Sequence, residues 1–293
     1  MLNIKRGDKK EIEEVEGVDV DPDENLELMI TQSTKESERI IKIARKHNTI
    51  LRLVGGLAIH AYCTDHAFCD RHHGDMDLVG LKSQYESIVQ VMKEAGYVEN
   101  TNMTISTGGS RLLFHKQDGE DHIDVFLDQI NIEHEIDFRD RLEIEEETVS
   151  VSDLLLIKLT ITKLNEKDIR DIISIVKDLQ MGHNDSPRTI NMNYIADLCA
   201  KSWGLHHDVS SSLRKTLQFL PEYHLPKKVR TGVIRKLEEL QEMILKSPKS
   251  IKWRLRALLG EHIPWRREIE TTGVTPEPVE VAMKSHDAVK DQN

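Results

Sequence analysis

Aromatic side chains are scarce in this 293-residue chain, at 4% of all residues, so its core must be built from aliphatic groups. Long apolar runs are absent too. The LLLI at 154–157 is among the longest, far short of the roughly 20 residues that cross a bilayer. The opening residues, MLNIKRGDKKEIEEVEG, contain no apolar h-region, so no signal peptide is expected. Cysteine occurs three times, at 63, 69 and 199, with no CxxC pair. An odd count without a secretion signal leads us to expect free thiols acting as small hydrophobes in a reducing, cytoplasmic setting. Neither GxGxxG nor a Walker A loop occurs, which leaves dinucleotide-binding and P-loop readings without support. No internal repeat or low-complexity segment is found.

Hydrophobic residues make up 38% and charged residues 31%, enough for one large domain or two modest ones. The net charge of −11 argues against gross electrostatic attraction to nucleic acid, but it is unevenly spread. Residues 227–267 hold twelve Lys/Arg against four Glu, a net of +8, which leaves −19 on the remainder. That asymmetry points to a partner surface, with RNA the polyanion to consider.

Residues 1–25 are acidic and poor in large apolar groups. Ordering them would cost entropy with little burial in return, so we expect a flexible tail. A helix is expected over 26–47, a buried strand over 50–54, a short helix over 57–62, a strand over 75–79, and a helix over 82–95 closed by Gly96. Short strands are expected at 97–98, 103–106 and 111–115. The Gly108-Gly109 pair should turn a hairpin between the last two. Another strand follows at 122–127. Strands separated by helices and then hairpins predict a mixed α/β sheet over 26–150. From 151 to 270 the pattern is helical. Ser152-Asp153 should cap a first helix, a second spans 167–179, and a linker with Pro187 covers 182–188. Four more helices are expected at 190–203, 208–220, 226–246 and 249–259. The last stretch, 271–293, reads as a disordered tail.

The residues that carry chemistry lie between 50 and 127. An apolar strand ends on Gly55-Gly56 and a helix opens at once. Such a turn lets backbone N–H groups approach phosphate, although a tight turn needing positive φ would use the same residues. Downstream, Asp75-Met76-Asp77-Leu78 alternates along a strand, so both carboxylates share one face while Met76 and Leu78 point into the core. Like charges side by side call for a cation, and Mg²⁺ takes hard oxygen ligands. A third carboxylate, Asp124, sits in the strand HIDVFL. A Gly-Gly turn after a strand, Asp-x-Asp on the next and a lone Asp on a third resemble the nucleotidyltransferase superfamily with its polymerase-beta-like fold, over roughly residues 50–180. The resemblance is closest to its abortive-infection and toxin-like branch in bacteria and archaea. One departure is the long interval, residues 57–74, between Gly56 and Asp75.

The resemblance implies a mixed-sheet nucleotidyltransferase core followed by an α-helical domain, with the site in the groove between them. It implies Mg²⁺ held by Asp75, Asp77 and Asp124, and transfer of a nucleoside monophosphate from an NTP to an acceptor hydroxyl on RNA, a protein or a small molecule. Asp124 could also serve as general base. By the same resemblance Lys158 would contact the triphosphate, with Asp168 and Asp171 orienting it or the helix. Arg71, close in sequence to the carboxylates, could meet a phosphate or fix Asp75. Three other readings compete. A catalytically silent nucleotide-binding module could use the same fold. His72 or His73 with Asp75 and Asp77 could ligate zinc for hydrolysis, though neighbours on an extended segment face opposite ways, so only one His could easily join. Trp253-Arg254-Leu255-Arg256 and Trp265-Arg266-Arg267 could form a stacking surface for RNA, or the Trp could pack within a helical bundle.

Overall fold

The computed structural model describes residues 22–71, 75–117 and 122–266. The expected tails at 1–25 and 271–293 therefore fall wholly or mostly outside the described residues, as do His72 and His73. Helix α1 (Pro22–Lys46) leads into β1 (Leu51–Val54), α2 (Gly55–His60), the short α3 (His66–Cys69) and β2 (Met76–Gly80). Then come α4 (Tyr85–Glu94), β3 (Tyr97–Glu99), α5 (Thr101–Ser106), β4 (Arg111–Lys116) and β5 (His122–Leu127). The hairpin β6 (Gln129–Asn131) and β7 (Glu135–Asp137) precedes α6 (Val151–Thr160) and α7 (Glu166–Asp178). A parallel pair, β8 (Gln180–Gly182) and β9 (Thr189–Asn191), brackets the expected linker. Helices α8 (Met192–Lys201), α9 (Trp203–Phe219), α10 (Lys227–Lys246) and α11 (Ile251–Leu259) follow.

The strands form a mixed five-stranded sheet in the order β1-β2-β5-β4-β3. Only β2 and β5 run parallel; the other neighbours are antiparallel. The mixed α/β class expected from the sequence is what the chain adopts. Its buried apolar residues, from Ile40 on α1 to Ile244 on α10, join the sheet and the helices in one cluster. That cluster is overwhelmingly Leu, Ile and Val, as the scarcity of aromatics requires. Helix α6 is apolar on nearly all sides and is correspondingly buried, Leu154, Leu155, Leu156 and Leu159 included. No described helix is long and apolar enough to cross a membrane.

Local capping explains where the expected elements shift. Residues 103–106 are helix α5, not a strand. The Asn100 side chain accepts from the Met103 amide at 3.2 Å and nucleates a helical turn, and Ile105 is left exposed. The Gly108-Gly109 pair, at φ of +61° and +71°, does reverse the chain, but it joins helix to strand. Residues 190–203 are not one helix, because residues 189–191 pair as β9 and Asn191 caps α8. Ser202 ends α8 and caps α9 by accepting from Leu205 N, so Trp203 opens the later helix. The cap of α6 is Ser150, two residues before the expected Ser152-Asp153. The cysteines also differ from expectation. Cys63 and Cys69 are paired in a disulfide, their Cα atoms 6.4 Å apart across α3, while Cys199 is free and buried.

Candidate active site

The register of the central strands assembles the carboxylates. Asp77 on β2 lies opposite Asp124 on β5 and also opposite Val54 on β1. Residues paired across a sheet share a face, so the two carboxylates point the same way. Asp75, just ahead of β2, is half-exposed, and its Oδ1 lies 3.2 Å from His122 Nε2. Met76 and Leu78 are buried on the other face, as alternation requires. Gly55 closes the site from β1. Its φ is +79°, a conformation that strains any side chain, and a Cβ there would stand 3.1 Å from Asp77 Oδ2, tight enough to make that carboxylate shift.

The carboxylates differ in their partners. Asp124 is buried and receives two bonds from Arg111, Nε to Oδ1 at 2.7 Å and a second amino group to Oδ2. Among the described residues nothing donates a hydrogen bond to the Asp77 carboxylate. Burial, then the charges of Asp124 and Asp75, push its pKa up to about 6 against the pull of Arg111 and Lys158. The three carboxylates share one end of the sheet, but their oxygens do not all lie within 4.8 Å of one another, so holding a common cation would need side-chain rotation. A cavity of about 650 Å³ opens next to Asp75 and His122, bordered also by Glu36, Arg39, Met76 and Ile123; it lies towards the face that Met76 and Ile123 occupy, and neither Asp77 nor Asp124 lines it.

Lys158, Asp168, Asp171 and Arg71 come together as a second cluster. Lys158 Nζ lies 3.0 Å from Asp168 Oδ1 and 2.8 Å from Asp171 Oδ2, and its side chain is only 12% exposed. Arg71 forks onto Asp171, Nε to Oδ1 at 3.1 Å and a terminal nitrogen to Oδ2 at 2.6 Å. Burial pushes the Asp171 carboxyl up, but the Lys158 ammonium and the Arg71 guanidinium outweigh it and hold it below its ordinary value. Asp168 also forms, with Asn165, the capping box that starts α7. Arg71 thus engages Asp171 rather than Asp75, and Lys158 neutralises two helix carboxylates. Lys158 is nonetheless close enough to be felt at Asp77.

Sequence reasoning missed Arg111 and His122. His122 was within reach of it, because it stands two residues before Asp124 and so shares its face. Arg111 was not, because it meets Asp124 diagonally across the antiparallel β4–β5 pair and that register is absent from the linear pattern. No family model, curated protein or solved structure matches this chain.

Proposed function

We propose that this chain is a metal-dependent nucleotidyltransferase that moves a nucleoside monophosphate from an NTP to an acceptor hydroxyl and releases pyrophosphate. The observation that carries the reading is the Asp77 carboxylate, half-buried, without a donor among the described residues, and sharing a face with Asp75 and Asp124. Asp75, Asp77 and Asp124 would hold Mg²⁺. When bound, the metal would activate the attacking oxygen and neutralise charge on the leaving pyrophosphate. Arg111 pairs with Asp124 and fixes its orientation. Both its oxygens are bonded to Arg111, so a cation or a proton would have to use their remaining lone pairs. His122 positions Asp75.

Lys158, Asp171 and Arg71 act in this reading by bracing α6, α7 and the segment leading to Asp75. Contact between Lys158 and the triphosphate would require it to leave Asp168 or Asp171. The test is label transfer. Full-length protein incubated with Mg²⁺, each α-labelled NTP and cell extract should attach label to an acceptor, and Asp77→Asn should abolish it. NTP binding without any transfer would instead support the silent nucleotide-binding module.

A further inference from the structure

The long segment between Gly56 and Asp75 carries a group of side chains that the proposed transfer reaction does not use. Histidine and cysteine recur every third residue along it, at His60, Cys63, His66 and Cys69, with Asp70 next. The fold sorts these into two groups. Cys63 and Cys69 are bonded to each other beside Asp178. His60, His66 and Asp70 form the other group, each offering one ligand atom, all within 4.8 Å of one another. His60 ends α2; His66 opens α3 and Asp70 caps it, its amide bonded to the His66 carbonyl at 2.7 Å. Positions i and i+4 of one helical turn face the same way, so His66 and Asp70 present their side chains together towards His60.

The distances suit a metal ion. His60 Nε2 lies 2.7 Å and His66 Nδ1 3.8 Å from the same oxygen, Asp70 Oδ1. Ligands about 2.1 Å from a tetrahedral ion stand about 3.4 Å apart, between those two values, so small side-chain rotations would complete the geometry. Two imidazoles and a carboxylate favour a first-row transition ion over Mg²⁺, and zinc takes three protein ligands and leaves a fourth position open.

We infer that His60, His66 and Asp70 form a Zn²⁺ site that ties the end of α2 to α3. Zinc there would brace the segment that runs on to Asp75. That segment already leans on α7 through Thr64 Oγ1 to Asp178 at 2.7 Å and Arg170 to the Phe68 carbonyl at 3.2 Å. The site is separate from the proposed Mg²⁺ carboxylates and stands whether or not transfer is found.

The test uses Zn²⁺ alone on the full-length chain stripped of metal. Titration against a chromophoric chelator, run in an Asp77→Asn background to remove binding at the carboxylates, should show one equivalent bound. Saturation should raise Tm by about 2 °C or more. His66→Gln should weaken binding at least tenfold and remove the Tm shift. His66 is 68% exposed, so this variant keeps the fold, which far-UV circular dichroism checks. A Cys63→Ser, Cys69→Ser pair should bind zinc like its parent. Binding unchanged in His66→Gln, binding lost only with the cysteines, or no zinc bound at all would overturn the inference.

Discussion

Asp77 is held in its ionised form at a cost to the fold. Its carboxyl titrates near 6 when folded, against an ordinary value of 3.8, because burial and two neighbouring carboxylates disfavour the charge. A folded-state pKa above the unfolded one means that its stabilising contribution is fully present below 3.8 and is lost as pH rises through about 6. At neutral pH that loss corresponds to about 3 kcal/mol. Asp77→Asn keeps the shape and removes the charge. In the presence of a chelator we expect it to unfold at a higher temperature than the wild type at pH 7.5, with the gap closing as pH falls towards 4. Thermal unfolding across that range checks this. A variant that gains stability and loses transfer would separate a functional carboxylate from a structural one, whereas equal or lower stability at pH 7.5 would refute the electrostatic account.

At the scale of elements, Lys158 joins α6 to α7. The sequence puts a lysine within an otherwise apolar helix, and either a ligand contact or a side chain reaching for solvent would account for it. The fold answers with buried Asp168 and Asp171, both ion-paired to it. Lys158→Ala should therefore destabilise the protein by about 3–5 kcal/mol, because it strands buried carboxylates. Adding Asp171→Ala should recover part of that loss. Urea unfolding of the two single variants and the double gives the coupling energy, and strictly additive losses would show that the pair does not interact. NTP affinity measured on the same proteins reports any separate role in binding.

For the molecule as a whole, much of the basic charge in 227–267 is engaged internally. Lys236 caps the end of α7 through the carbonyls of Val176 and Leu179, at 2.8 and 2.6 Å. Arg266 pairs with Asp208, which also receives Trp265 Nε1 at 3.0 Å. Arg256 bonds the carbonyls of Gly260 and Ile263 and lies over the Trp203 ring. Trp203, Trp253 and Trp265 pack against one another or against His206 and His207, so the tryptophans are largely internal contacts. Lys252 and Arg254 on α11 remain exposed. If RNA is the acceptor, reversing both to Glu should weaken its binding and lower the salt slope by about 1.4, at about 0.7 per single-strand phosphate. Binding isotherms from low to high salt test this, and an unchanged slope would remove α11 from the RNA surface.

The alternation in 75–79 and 122–127 is enough to place Asp75 and Asp77 on one face and to mark Asp124 as a buried-strand acid, because side-chain period in a strand is a local property. The mixed α/β class, the aliphatic core and the main helices are legible for the same reason. Partnership is not. That Asp77 faces Asp124, that Arg111 rather than Lys158 neutralises the site, and that Arg71 serves Asp171 all depend on register and packing between residues 13 to 100 positions apart. The strand expected at 103–106 fails more locally, where one asparagine cap outweighs an alternating pattern. Sequence by itself determined which groups could carry charge and which faces they occupy. Only the tertiary structure decided which charges are neutralised and which are left without a donor, because Coulomb energy and desolvation depend on distances in space that the order of residues does not contain.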